Sequence, residues 1–112
     1  MLAKLHRLTK KKDFDAAFKD GKGYRGRFLA VRIITNSLAA HRIGFIVSTK
    51  VSKKAVVRNM VKRRLRAIIS GYLAMLAKLQ PSDIVIITFP GVEKASFEEL
   101  RIAIAEIFKK IK

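Results

Sequence analysis

One apolar segment restricts the possible folds of this chain more than any other feature. Residues 83–89 read DIVIITF, and Pro90 and Gly91 follow directly. A nearly continuous apolar run of this length is typical of a strand whose two faces are both buried, because a half-exposed strand alternates apolar and polar residues. We therefore predict a strand at 83–89 with both faces covered.

The segment before it predicts one short helix and three extended pieces. Phe14, Ala17 and Phe18 share one helical face and predict a helix at 13–20, which Gly21 ends. A short extended piece is predicted at 24–27, β-branched side chains predict a strand at 28–35, and a second long strand is predicted at 42–49. The last two pieces are long enough to pair as a hairpin.

Two further helices complete the expected order. A long helix is predicted from about Lys53 to Leu79, with Ser52 as its N-cap and Gly71 as a position that bends or weakens it. The last helix begins after Ser96, which has capping-box spacing to Glu99. Its apolar stripe contains Leu100, Ile104, Ile107, Phe108 and Ile111.

The order α-β-β-β-α-β-α predicts the α+β class and a two-layer α/β sandwich. At 112 residues the chain has room for one core, so we expect a single domain at 1–112.

Charge is the strongest indication of a partner. The chain has 25 Lys and Arg against 8 Asp and Glu, a net charge of +17, and no acid lies between Gly21 and Ser82. The basic side chains of that stretch therefore lack the local counter-charges of an ordinary solvated helix face. The distribution favours a surface that binds a polyanion.

The absence of cysteine excludes disulfides, zinc fingers, iron–sulfur clusters and thiol nucleophiles. The chain shows neither a signal-peptide pattern nor an apolar run of the ~20 residues that span a bilayer. We expect a cytoplasmic protein without membrane association.

The predicted central helix places its basic residues on one face. With about 100° per residue, the apolar positions 57, 61, 65, 68 and 72 fall on the opposite face. Arginine binds phosphate oxygens through a planar fork and lysine through a point charge. The face alone does not distinguish DNA, RNA and membrane, although membrane-surface helices usually expose Trp or Phe beside the basic face. The basic and polar residues are Arg58, Asn59, Lys62, Arg63 and Arg66, preceded by Lys53 and Lys54.

These residues resemble a known signature. Residues 47–50 (VSTK) and 53–66 (KKAVVRNMVKRRLR) are similar to the motif of the bacterial ribonuclease P protein subunit. The opening segment with Phe14, Phe18 and Gly21 also resembles that family, as do Arg42 and Gly44 in the strand before the motif. The resemblance extends over nearly the whole chain.

Two positions depart from the family pattern. Met60 stands where the family usually has a second arginine, so either one RNA contact is missing or Arg64 substitutes for it. Thr49 replaces the first residue of a Lys-Lys pair.

The resemblance implies a function. Proteins of that family assist a catalytic RNA that holds Mg²⁺ and removes the 5′ leader of precursor tRNA. By resemblance, the central helix binds the catalytic RNA, and a cleft containing Phe14, Phe18, Val31 and Lys50 faces the leader. The partners are then the catalytic RNA and precursor tRNA, with no protein partner predicted. The resemblance also implies a left-handed crossover around the central helix.

The chain itself offers no candidate for catalysis or metal binding. His6 and His41 are its only histidines, and Asp13 and Asp15 point to different helix faces. Three other functions remain open from the residues alone: a structural RNA-binding protein of ribosomal type, a duplex DNA-binding module and, least favoured, a membrane-surface protein.

Overall fold

The computed structural model describes residues 8–36, 38, 40–76 and 78–111, except for the side chain of residue 73. His6 lies outside the described residues. One sheet contains four strands in the spatial order β1-β2-β4-β3. The strands are β1 (Lys22–Arg25), β2 (Leu29–Thr35), β3 (Arg42–Ile46) and β4 (Ser82–Thr88). Strand β4 is antiparallel to β2 and parallel to β3.

The predicted burial of β4 is confirmed. Every residue of β4 is buried except Ile87, which is half-buried. Apolar side chains on both faces of a strand are best covered in the interior of a sheet. This explains why β4, the last strand in the sequence, lies between β2 and β3.

The predicted hairpin between the segments 28–35 and 42–49 is wrong for the same reason, because β4 separates β2 from β3. Strand β2 instead forms an antiparallel hairpin with β1, closed by the Gly26 N–H donating to the Leu29 carbonyl at 2.9 Å. Phe28 has a left-handed backbone, with φ +71°. That conformation cannot continue a strand, so β2 begins one residue later than predicted.

The helices are α1 (Lys11–Asp20), α2 (Ala55–Ser70), α3 (Leu73–Leu76) and α4 (Phe97–Phe108), and a short 3₁₀ turn spans Val92–Lys94. The predicted continuous helix to Leu79 is wrong, because α2 ends at Ser70 and Gly71 is its C-cap. Ser52 is not the N-cap. That position belongs to Lys54, whose N–H donates to the Ser52 hydroxyl at 3.2 Å. In the described part of the chain no helix is long and apolar enough to cross a membrane.

The predicted start of α4 is confirmed. The Ser96 hydroxyl accepts from the Glu99 N–H at 3.1 Å, and the Glu99 carboxylate accepts from the Ser96 N–H at 2.9 Å. This capping box satisfies two backbone donors that have no partner inside the helix. The predicted stripe is buried at Leu100, Ile104, Ile107 and Phe108, and Ile111 is partly buried against the core.

The two faces of the sheet are covered by different helices. On one face, Val31 and Ile86 pack with Leu65 of α2 and Ile104 of α4 in the main core. On the other face, Ala17 of α1 packs in a smaller cluster against β4. The α+β class is confirmed, and the element order is confirmed apart from the additional short helix α3. Helix α2 connects the parallel strands β3 and β4 as a crossover, and its left-handed sense stays a prediction from the resemblance.

A partly buried ion network fastens the first turn of α1 to the sheet. Arg42 donates to both carboxylate oxygens of Asp83, from Nε at 2.8 Å and from Nη2 at 2.6 Å. Its Nη1 lies 3.2 Å from the Asp13 carboxylate of α1. The hydrogen bond to Asp83 raises the pKa of Arg42 above its ordinary value. One guanidinium therefore compensates carboxylates from a helix and a strand.

Candidate nucleic-acid interface

The outer face of α2 carries the charge that the sequence predicted for it. We call this the helix surface, and it consists of Lys53, Lys54, Arg58, Asn59, Lys62, Arg63 and Arg66. Asn59 and Arg63 are exposed, while Lys62 and Arg66 are half-buried. The opposite face of α2 is buried at Val61, Leu65, Ile68 and Ile69. Packing of the apolar side therefore holds the basic side toward solvent.

The N-terminal end of the helix surface combines side-chain and backbone charge. Lys53 and Lys54 are exposed there, and the first turn of α2 has no acidic residue. Cations at a helix N-terminus oppose the helix dipole and destabilise the helix, whereas an anion is favoured there. The half-buried Arg58 donates to the Ser52 carbonyl at 2.9 Å, which holds the preceding segment against α2. The two lysines therefore lower the local stability of α2 and make this end favourable to an anion.

Arg64 has a different environment from the other arginines of α2. It is half-buried, and its Nη1 donates to the Ala95 carbonyl at 3.3 Å. Met60, one turn earlier, is partly buried against the core. The guanidinium of Arg64 is thus tied to the segment before α4. Its substitution for the family's second arginine stays a prediction.

A groove of about 260 Å³ connects the helix surface to α1 across strand β3. Lys62 and Arg66 border it on one side and Phe14 on the other. The Arg66 guanidinium lies 5.7 Å from the centre of the Phe45 ring. Gly44 forms part of the floor, and a Cβ at this position would approach the Phe14 ring to 2.5 Å. The glycine therefore allows α1 to pack closely against β3.

A second surface lies on the sheet face that carries α1. We call it the sheet cleft, and it consists of Phe18, Ala30, Arg32, Ile46 and Ile87. Phe18 is 43% exposed, and the other four are half-buried. The register places Ala30 opposite Ile87 and Ile87 opposite Ile46, so these side chains share one face. The cleft thus combines a largely apolar floor with an exposed aromatic ring and a guanidinium.

The structure separates the four residues predicted to face the leader. Phe18 borders the sheet cleft, and Lys50 is exposed in the turn after β3. Phe14 is half-buried and packs in the cluster beneath α1. The assignment of Val31 to a cleft is wrong, because Val31 is fully buried against α2 and α4. Neighbouring strand residues face opposite sides, so the cleft positions of β2 are Ala30 and Arg32.

Sequence reasoning missed Arg32, which fixes the C-terminal end of α1. Its Nε donates to the Ala17 carbonyl at 3.3 Å, and its Nη2 donates to the Phe18 carbonyl. Carbonyls in the last turn of a helix lack partners within the helix, and a cation there also favours the dipole. The sequence feature that could have indicated this role is a single arginine within the apolar run FLAVRIIT.

Most of the chain's carboxylates already have partners within the protein. Asp13 and Asp83 surround Arg42, and Glu93 accepts from the Gly91 N–H at 2.6 Å. Glu98 pairs with Arg101, while Glu99 completes the capping box. Among the described residues, no three His, Asp or Glu side chains lie together as potential metal ligands.

The fold and these surfaces define a small α+β protein with an extended basic face. The chain belongs to the ribonuclease P protein family, because the model of the family described as Ribonuclease P matches residues 2–112.

Individual relatives agree with this assignment. The chain is 39% identical to the ribonuclease P protein component of Cyanothece sp., over 88% of this chain and 86% of the relative. It is 36% identical to that of Syntrophomonas wolfei, over 98% of this chain and 90% of the relative. Among solved structures it resembles the RNase P protein from Thermotoga maritima in complex with 1-(4-fluorophenyl)-2-thiourea. That match has a TM-score of 0.83 and 28% identity, and it covers 95% of this chain and all of the other.

Proposed function

We propose that this chain is the protein component of ribonuclease P, which binds the catalytic RNA and the 5′ leader of precursor tRNA and assists endonucleolytic removal of the leader. The observation that carries the proposal is the helix surface. Its cations have no acidic counterpart on α2, and they belong to a chain whose family is ribonuclease P. The experiment that tests the proposal is a binding competition between two RNAs.

The helix surface suits a folded RNA. Structured RNA presents phosphates at regular spacing, and a rigid helix presents cations at regular spacing. Asn59 lies exposed among them and can both donate and accept hydrogen bonds. The groove beside Arg66 leads from the helix surface toward α1 and is otherwise lined by uncharged residues. We assign the catalytic RNA to this side of the molecule.

The sheet cleft suits a single strand. Unpaired bases stack on aromatic rings while cations follow the backbone. Phe18 supplies an exposed ring, and the half-buried Ile46 and Ile87 supply an apolar floor. Lys50 is exposed beyond β3 and is available to a phosphate. We assign the leader of precursor tRNA to the cleft.

Catalysis belongs to the RNA in this proposal, and Mg²⁺ is held by the RNA and the substrate. The protein contributes positive charge where the catalytic RNA and the precursor tRNA come together. Neutralised phosphates repel one another less, so productive binding requires fewer free cations. The protein therefore lowers the Mg²⁺ concentration at which cleavage proceeds. The proposed location is the cytoplasm, and the proposal requires no protein partner.

The test is competition between two RNAs of similar length. A bacterial ribonuclease P RNA and a ribosomal RNA fragment are titrated against the protein at physiological salt. We expect the ribonuclease P RNA to bind at least about tenfold more tightly. Equal affinity for both RNAs would instead support a structural protein of ribosomal type, because phosphate attraction alone does not distinguish folded RNAs.

A further inference from the structure

An arginine–phenylalanine stack lies at the end of the sheet cleft. The Arg25 guanidinium lies 4.7 Å from the centre of the Phe89 ring. Arg25 is opposite Ala30 in the register, and Ala30 is opposite Ile87. Residues paired across strands point to the same side of a sheet. The Arg25 side chain therefore lies on the same face as the cleft floor.

Phe89 follows Thr88, the last residue of β4, and continues its pairing with the chain before β2. Its N–H donates to the Phe28 carbonyl at 2.8 Å, which continues the strand ladder. Phe89 comes two residues after Ile87, so alternation places both side chains on the cleft face. The ring is half-buried and provides a fixed support. Arg25 is exposed and lies over this support.

The outer side of the Arg25 guanidinium is available to a ligand. Among the ion pairs of the described residues none includes Arg25, so no carboxylate holds its charge. A planar guanidinium stacked on a phenyl ring has limited freedom, so a further stacking contact requires little additional ordering. Nucleobases stack on arginine planes as they do on aromatic rings. Ala30 is small and adds no bulk beside the stack.

We propose that Arg25 and Phe89 form a second base-stacking position, which takes an unpaired nucleobase of the single-stranded RNA in the sheet cleft. This inference rests on the proposed leader-binding function and gives it a further subsite, separate from Phe18. The cleft then has one aromatic support at the end of α1 and another beyond the end of β4. The apolar floor lies between them.

The chain provides a matched control on the opposite side of the sheet. Arg27 lies 4.6 Å from the centre of the Phe28 ring, a geometry close to that of the first stack. Phe28, however, packs against the main core beneath α2 and α4. Arg27 also lies 3.7 Å from the Glu99 carboxylate. Loss of Arg27 removes an equal charge without affecting the cleft.

The test uses protein assembled with a bacterial ribonuclease P RNA. Affinity is measured for precursor tRNAs whose leaders are lengthened one nucleotide at a time. In the wild type, affinity should rise at the leader length whose added nucleotide reaches the stack. We expect Arg25→Ala and Phe89→Leu to lose this rise, which amounts to about tenfold weaker binding for leaders of that length or longer. Arg25→Lys is expected to lose the same increment, because lysine keeps the charge but not the plane. Arg27→Ala is expected to retain it.

The other outcomes have definite meanings. If Arg25→Lys retains the full gain, the role is electrostatic and the stacking proposal is wrong. If Phe18→Ala removes its own increment while Arg25→Ala and Phe89→Leu remove none, the subsite is refuted and leader binding stands. If the wild-type complex shows no dependence on leader length, the leader-binding function fails as well. Thermal melts of the free variants verify that each one folds.

Discussion

Arg32 and Phe18 are linked through the backbone, because the arginine side chain donates to the Phe18 carbonyl at the C-terminal end of α1. Together with Arg42 at the first turn, this contact fastens α1 to the sheet at both ends. The orientation of the exposed Phe18 ring therefore depends on an arginine of β2. A cation thus positions an aromatic side chain at the cleft.

Replacing Arg32 by leucine is expected to weaken leader binding without weakening RNA assembly. The substitution removes both hydrogen bonds to α1, which frees the end of the helix that carries Phe18. We predict about a fivefold loss of affinity for precursor tRNA and an unchanged affinity for the catalytic RNA. The measurement is titration of the assembled enzyme with precursor and mature tRNA. Equal losses for both substrates would contradict the positioning role.

Phe18→Ala is expected to weaken precursor binding selectively. An unpaired base stacked on an aromatic ring contributes about 1–3 kcal/mol, so the expected loss is at least about fivefold. Phe97 on α4 is the control, since it is 46% exposed against 43% for Phe18 and lies outside the cleft. Phe97→Ala should leave the precursor preference intact. A similar loss in both variants would contradict the role of Phe18 in binding the leader.

Arg63→Ala is expected to weaken binding of the catalytic RNA and to reduce its salt dependence. If Arg63 neutralises one phosphate, the log–log slope should decrease in magnitude by about 0.7–0.9. Arg101→Ala is the control, because Arg101 is also exposed on a helix but pairs with Glu98 on α4. Binding measured across a salt series distinguishes the two variants. An unchanged salt slope in Arg63→Ala would show that Arg63 does not contact a phosphate of the RNA.

Loss of the ion network at Arg42 is expected to destabilise the folded protein. Arg42→Met leaves Asp83, which is buried, and Asp13 without their shared cation. Removing one partner of a buried ion pair costs about 3–5 kcal/mol, and we expect the lower part of that range because Arg42 is partly exposed. Denaturant unfolding of the free protein provides the measurement. A loss no larger than that of the exposed Arg101→Ala variant would show that the network is not stabilising.

The capping box at Ser96 predicts that the stability of the folded protein depends on pH. The Ser96 backbone N–H, followed by its side chain, holds the pKa of Glu99 below its ordinary value. A carboxylate with a lowered folded pKa stabilises the protein above its unfolded pKa of about 4.3 and loses this contribution as pH falls through the folded pKa. Glu99→Gln should therefore lower the melting temperature at neutral pH, and this difference from the wild type should shrink as the pH falls below the unfolded pKa. Glu106→Gln, exposed on the same helix, is the control.

Local patterns in the sequence predicted much of the fold. The buried strand β4, the capping box at Ser96 and the basic face of α2 each depend on residues close together in the chain. Strand pairing was not predictable in this way. Whether β2 pairs with β3 or with β4 depends on contacts between distant segments, and the need to cover both faces of β4 decided it.

The candidate site was only partly predictable for the same reason. The face of β2 that meets α1 is a tertiary property, so Val31 was assigned to the cleft when its neighbours Ala30 and Arg32 belong there. Helix α2 ends before Gly71, which the sequence marked as a position that bends or weakens the helix but not as its end. Arg25 and Phe89 lie far apart in the sequence, and only the sheet brings them together.

The most direct test of the account is cleavage of precursor tRNA at low Mg²⁺ by a bacterial ribonuclease P RNA, with and without this protein. We predict that the protein restores cleavage at the mature 5′ end and that the protein alone cleaves nothing. Binding of the RNA without any restoration of cleavage would contradict a role in ribonuclease P, since it would make the helix surface a general RNA-binding face.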